Sequence, residues 1–273
     1  MFGSDSRILV VEYFCAGGGA GGGESALLPE ARTMAAAVLE DFARLPGVRV
    51  LTLHRPEIPF HLPAPHEARA VGRSGFGAAF GRALRACDAA LVVAPERGRI
   101  LERLTRSIEC AGVVNLGASS AAVRIASDKW STYRVLARAG VPQPPTICIA
   151  ACGTVDPELV ERRLNRGAST LVVERRRPSL RRSRWILKPL DGYACLGLRA
   201  VDAGSDLGAA MRGVRTQTRR ARILLQQECS GVDASVSLIG DGRHAVPICL
   251  NRQIISREGT FEYSGGVVPL EHH

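Results

Sequence analysis

The chain has 273 residues, and few of them are aromatic: Phe, Trp and Tyr together make up 5%. It is also poor in acid, with 26 Asp and Glu against 36 Lys and Arg, a formal net charge of +10. A basic excess suits either nucleic acid or a small anionic substrate. Platforms for single-stranded nucleic acid need rings for bases to stack on, so the shortage of rings disfavours nucleic acid as a partner. The densest basic run, ERRRPSLRRSR at 174–184, has no ring before Trp185 and reads as a solvated arginine loop. No apolar run is long enough to span a membrane, and the opening MFGSDSRILVVEYF is a strand pattern rather than a secretory leader. The expectation is a cytoplasmic protein with no membrane partner. There is no CxxC among the eight cysteines (15, 87, 110, 148, 152, 195, 229 and 249), and no histidine pair at zinc-finger spacing accompanies Cys148 and Cys152. Most sit in apolar runs such as CDAALVV and TICIA, so reduced core thiols are expected rather than disulfides or zinc ligands.

A hydrophobic content of 46% is enough for one large or two modest domains. RILVVEYF at 7–14 reads as a buried strand. Residues 25–45 carry Leu27, Leu28, Met34, Val38, Leu39 and Phe42 at helical spacing until Pro46-Gly47. Strands follow at 48–53, 89–94 and 113–116, with helices at 76–85 and 98–111 between them. This alternation predicts a parallel α/β domain over 1–124. Beyond it, Ser127 or Asp128 caps a helix that Gly140 and Pro142 end, and a strand follows at 146–150. A hairpin over 185–201, a strand at 221–228 and two antiparallel strands joined at Gly240-Asp241-Gly242 make the second domain, 125–273, α+β.

Two glycine-rich stretches suggest a site. In AGGGAGGGES at 16–25, Gly17, Gly19 and Gly22 have the spacing of a dinucleotide fingerprint between a strand and a helix. The second strand ends Leu53-His54-Arg55, with no acid to take a ribose, although Arg55 suits a phosphorylated nicotinamide dinucleotide. That oxidoreductase reading stays open beside a bland edge loop. In WILKPLDGYACLGL at 185–198, an apolar strand presents Lys188, and Gly192 and Gly197 then bracket a loop of small residues. This arrangement suits phosphate; the alternative is a hairpin with an exposed lysine.

Four signals occur in order along the second half. Asn115-Leu116-Gly117 precedes Ser127-Asp128-Lys129 and a helix closed by Ala139-Gly140-Val141-Pro142. Lys188-Pro189 comes next, then Gln226-Gln227-Glu228-Cys229 with Gly231, Asp233 and Ser235, then Asn251 and Gln253 before Phe261-Glu262-Tyr263-Ser264-Gly265-Gly266. In this order they resemble the ATP-grasp superfamily over about 115–266. EYF…GGG…LLPEARTMAAAVLEDF and LNRQII…EYSGG are most similar to its tyramine–glutamate ligase group, which serves methanofuran-type cofactor biosynthesis.

The resemblance implies an ATP-dependent carboxylate–amine ligase acting through an acyl phosphate, with ATP and magnesium as cofactors and small molecules, an amino-acid carboxylate and an amine, as substrates. It leaves room for a homodimer. It implies that Lys129 and Lys188 hold phosphates and that the Gly192–Gly197 loop closes over them. Gln226 meets the adenine edge, Gln227, Glu228 and Cys229 form the hinge beside the base, and Asp233 accepts from the ribose. Lys188 and Arg252 are the catalytic cations, and Arg257 is a further candidate for substrate carboxylate or phosphate. The superfamily's acidic residue and Glu-x-Asn element for magnesium find no match after Gly266, so the grasp domain reads as truncated and its metal ligands stay unassigned. A non-catalytic nucleotide binder, or an RNA binder using the 174–184 arginines, is the remaining alternative.

Overall fold

The computed structural model describes residues 5–19, 27–72, 75–151, 158, 160, 162, 183–192, 195–257 and 261–271. Several expectations fall outside the described residues: the glycine run from 20 to 25, arginine-run residues 174–182, Cys152, Tyr193-Ala194, and His272-His273. The chain divides into two compact units, Met1–Arg124 and Ile125–His273.

The first unit is built on a parallel sheet of five strands in the order β3-β2-β1-β4-β5. These are β1 (Ser6–Glu12), β2 (Val48–His54), β3 (Glu67–Ala70), β4 (Ala89–Val93) and β5 (Val114–Asn115). Strand β1 lies at the centre and is apolar on both faces, as a parallel strand covered on both sides must be. Leu9 and Val11 pack with Phe80 of α2 (Gly75–Leu84) and Ile108 of α3 (Ile100–Cys110). Ile8 and Val10 face the other way, toward Leu39 of α1 (Leu28–Ala43). Helix α4 (Ser120–Ala126) follows β5. Strand β3 was not expected. Its sequence, EARA, has no β-branched or aromatic residue; it is a strand because the open edge of β2 pairs with it.

The second unit holds two antiparallel sheets. The first has the order β6-β9-β7-β8, with β6 (Thr146–Ala150), β7 (Trp185–Pro189), β8 (Arg199–Val201) and β9 (Arg222–Gln227). One of its faces is a dry core, in which Ile147, Trp185, Leu187, Ile223 and Leu225 pack against Met211 and Val214 of α6 (Leu207–Arg215). The opposite face carries Cys148, Leu190 and Leu224 against Trp130 of α5 (Lys129–Arg138). Pro189 closes the β7 ladder. It is the last residue of β7, opposite Ile223, where a missing N–H is tolerated.

The second sheet is β10-β11-β12, from β10 (Ala234–Gly240), β11 (Ala245–Ser256) and β12 (Glu262–Val267). The expected turn between β10 and β11 is present. Asp241 Oδ1 accepts from the backbone N–H groups of Arg243 and His244, at 2.8 and 2.6 Å. Strand β12 went unrecognised because EYSGGV carries two glycines, poor strand formers that register with β11 nonetheless accommodates. Among the described residues, no helix is long and apolar enough to cross a membrane. The expectation of core thiols needs correction. Of the described cysteines only Cys15 and Cys148 are buried, whereas Cys110 and Cys229 are exposed; all are free.

Candidate functional site

The period-two alternation of β7 and β9 decides what Lys188 can meet. Lys188 lies opposite Leu224, and Gln226 lies opposite Ile186, so both side chains stand on the face away from the dry core. Across β6, Gln226 is in register with Thr146. The three side chains form a relay. The Thr146 hydroxyl donates to the Pro144 carbonyl at 2.8 Å and accepts from Gln226 Nε2 at 3.0 Å. That fixes the amide with its oxygen turned toward Lys188, whose Nζ donates to it at 2.6 Å.

Lys188 is therefore half-buried and held, not the exposed lysine of a simple hairpin. Burial, with the ammonium of Lys129 as the second cause, pulls its pKa below the ordinary lysine range. Lys129 is the first residue of α5. Asp128 caps that helix by accepting from the Ser131 N–H at 2.8 Å. The Lys129 backbone N–H donates to the Leu190 carbonyl at 3.0 Å, and its Nζ donates to the Gly192 carbonyl. Two ammonium groups held close enough to oppose each other make a place that favours an anion.

In the loop after Pro189, Gly197 is constrained by close contact as well as by its backbone conformation. Gly197 has a φ of +78°, and a Cβ there would come within 2.8 Å of Gln217 and 2.9 Å of Pro189. Arg220 links this loop to the start of α5, with Nε 3.7 Å from Asp191 and Nη2 3.5 Å from Asp128. Cys195, in the same loop, is raised by burial and senses the charges of Lys188, Asp233 and Lys129, so these groups share one neighbourhood.

Acidic side chains follow β9. A cleft of about 440 Å³ is lined in part by Arg184, Gln227, Glu228, Cys229 and Arg257. Arg257, just past β11, bridges two carboxylates. Its Nη1 donates to Glu228 Oε1 at 2.5 Å, and its Nη2 donates to both oxygens of Asp233 at 2.6 and 2.8 Å. Glu228 Oε2 lies 3.3 Å from Arg184 Nε, an ion pair without the alignment of a hydrogen bond. Asp233 also anchors β10, because its carbonyl accepts from the Gln253 N–H at 2.8 Å.

The structure thus brings Lys129, Lys188, Gly192, Gly197, Gln226, Glu228, Cys229 and Asp233 to one end of the second unit. Three expectations change. The Gln226 amide is engaged by Lys188 and Thr146. Gln227 lies opposite Trp185, on the other face, with Nε2 3.3 Å from Ser183 Oγ. Arg252 is exposed on β11, opposite Ala234 and Val267, and nothing ties its guanidinium to the lysines among the described residues. Thr146 and the Glu228–Arg257–Asp233 bridge were missed. Their signal would have been the register of strands far apart in sequence. Among the described residues, no group of three or more His, Cys, Asp or Glu side chains gathers in a way that would hold a metal.

This geometry has relatives. The ATP-grasp domain family matches residues 126–273, and the pre ATP-grasp 3 domain matches residues 48–123. Tyramine–L-glutamate ligases of Methanocaldococcus jannaschii and Methanocaldococcus fervens are 30% and 28% identical to the chain over 185 residues, 68% of its length. The matches cover 42% and 44% of those two proteins, so the chain spans less than half the length of the curated relatives it matches. Among solved structures, an ATP-grasp superfamily protein from Archaeoglobus fulgidus aligns with a TM-score of 0.59 at 22% identity, covering 98% of this chain and 67% of that one. D-alanyl-alanine synthetase A from Vibrio cholerae aligns with a TM-score of 0.62 at 12% identity, covering 99% and 75%. Those two likenesses bear on the fold alone. With a domain match over more than half its length, the chain belongs to the ATP-grasp family.

Proposed function

We propose that the chain carries the nucleotide site of an ATP-dependent carboxylate–amine ligase. The observation that supports this most is Lys188, a half-buried ammonium fixed by the Gln226–Thr146 relay beside Lys129. Such a pair is costly unless an anion is bound, and a polyphosphate is the anion that the family implies. Lys188 and Lys129 hold phosphate oxygens. For this Lys129 gives up its bond to the Gly192 carbonyl. Backbone groups of Glu228 and Cys229 face the base, and Asp233 accepts from the ribose. Gln226 has a different part from the one expected: it aims Lys188 instead of reading adenine.

In the reaction, a substrate carboxylate oxygen attacks the γ-phosphorus of ATP and ADP leaves. The amine nitrogen then attacks the acyl carbon, phosphate departs, and the nitrogen loses a proton. The chain supplies positive charge as the phosphoryl group moves. Arg252, exposed on β11, is the cation assigned to the substrate carboxylate. Magnesium normally accompanies such phosphates. The described residues offer it no cluster, so none is assigned to it and no step is drawn through it.

The relatives' names suggest glutamate as the acid and tyramine as the amine. The test is mass spectrometry of the protein incubated with magnesium ATP, glutamate and tyramine. The expected result is ADP together with a product one water lighter than the sum of the two substrates. ADP formation that ignores both substrates would contradict a ligase.

A further inference from the structure

We infer that Arg257 positions Asp233 for the nucleotide ribose, and so sets the protein's preference for ribose hydroxyls without touching the nucleotide. The inference rests on the proposed ribose role of Asp233.

Two carboxylates beside an anion site are a liability, because Glu228 and Asp233 would repel the phosphates that the lysines attract. Arg257 removes the conflict. One guanidinium spans both acids, at 2.5 Å to Glu228 and at 2.6 and 2.8 Å to Asp233. With Arg184 near the second oxygen of Glu228, two cations balance two anions. A carboxylate has about four lone-pair sites, and the two oxygens of Asp233 give Arg257 one each. The side chain is still 31% exposed, so Arg257 does not enclose it. Asp233 is thereby held by Arg257 and yet reachable from solvent. Because its backbone is also pinned to Gln253, the carboxylate has one orientation to offer a pair of hydroxyls. Arg257 itself, occupied by two acids, is not available to a substrate carboxylate.

The test compares binding of ATP and 2′,3′-dideoxyATP to the full chain by calorimetry. Loss of charge-assisted hydrogen bonds to a ribose weakens binding by about 10- to 100-fold, so the wild type is expected to discriminate by that factor. Asp233→Asn should lose most of the discrimination. Arg257→Ala should lose it equally: both nucleotides bind more weakly once the two carboxylates lose their counter-charge, but ATP weakens by the larger factor, so the ratio falls toward one. Arg257→Lys should fall between, since a point charge cannot span both acids. A merely structural arginine would weaken both nucleotides together and leave their ratio unchanged. If Arg257→Ala does not fold, Glu228→Gln, which loosens the bridge at its other end, should still lower the ratio, and an unchanged ratio there overturns the inference. If Asp233→Asn abolishes discrimination and Arg257→Ala keeps it, the inference fails and the ribose role stands. If Asp233→Asn keeps it, the ribose role fails, and the inference with it.

Discussion

At the scale of single residues, the energetics centre on Lys188. Burial and the neighbouring Lys129 charge lower its pKa. The unfolded chain therefore holds this proton more tightly than the folded one. Stability of the free protein rises with pH between the lowered value and the ordinary lysine value of about 10.4. A polyphosphate reverses the balance, because its negative charge favours the ammonium. ATP should take up protons on binding in alkaline buffer, and its affinity should fall as pH rises through the lowered pKa of Lys188. Calorimetry in buffers of different ionisation enthalpy measures this uptake, which is expected in the wild type and absent in Lys188→Met. Lysines, glycines and Asp233 stood out in the sequence because their residue types suit phosphate and ribose. Thr146 did not. It lies 80 positions from Gln226, and only the pairing of β6 with β9 brings the two together.

At the scale of elements, the loop between β7 and β8 depends on glycine for space as well as for conformation. Gly197→Ala adds a positive-φ strain and a clash with Gln217 and Pro189, and should destabilise the protein by about 1–3 kcal/mol. Gly140→Ala is the control. Its φ is +73° with nothing within 4 Å of a Cβ, so it carries the strain alone and should cost about 1 kcal/mol. Urea midpoints with unchanged slopes would confirm both, and equal costs would show that the clash is relieved by local movement. Most elements were legible from periodicity: the ILVV run of β1 and the amphipathic α1 announce themselves. The edge strand β3 and the glycine-bearing β12 were not, because each owes its conformation to a neighbouring strand rather than to its own residues. Pro189 ends β7, since the end of a ladder accepts a proline that its middle would refuse.

At the scale of the whole molecule, the order of motifs identified the family where no single motif would have done. Lys188-Pro189 alone is a hairpin, and Asp233 alone is a turn. Four signals in sequence, carried by a parallel α/β unit and then an antiparallel one, restrict the reading to a nucleotide-grasping fold. The net charge of +10 left nucleic acid and small anions both open, because composition does not say where charge is concentrated. The structure gives two of the positive charges a location, at Lys129 and Lys188. The central claim is that this pair binds ATP. Thermal denaturation with and without magnesium ATP, beside NADPH, on wild type and on Lys188→Ala, tests it most directly, because a ligand that binds only the folded state must stabilise it. The account expects ATP to raise the melting temperature of the wild type, with binding about 10- to 100-fold weaker in Lys188→Ala. Stabilisation by NADPH alone, or by ATP to the same degree in both proteins, would contradict it.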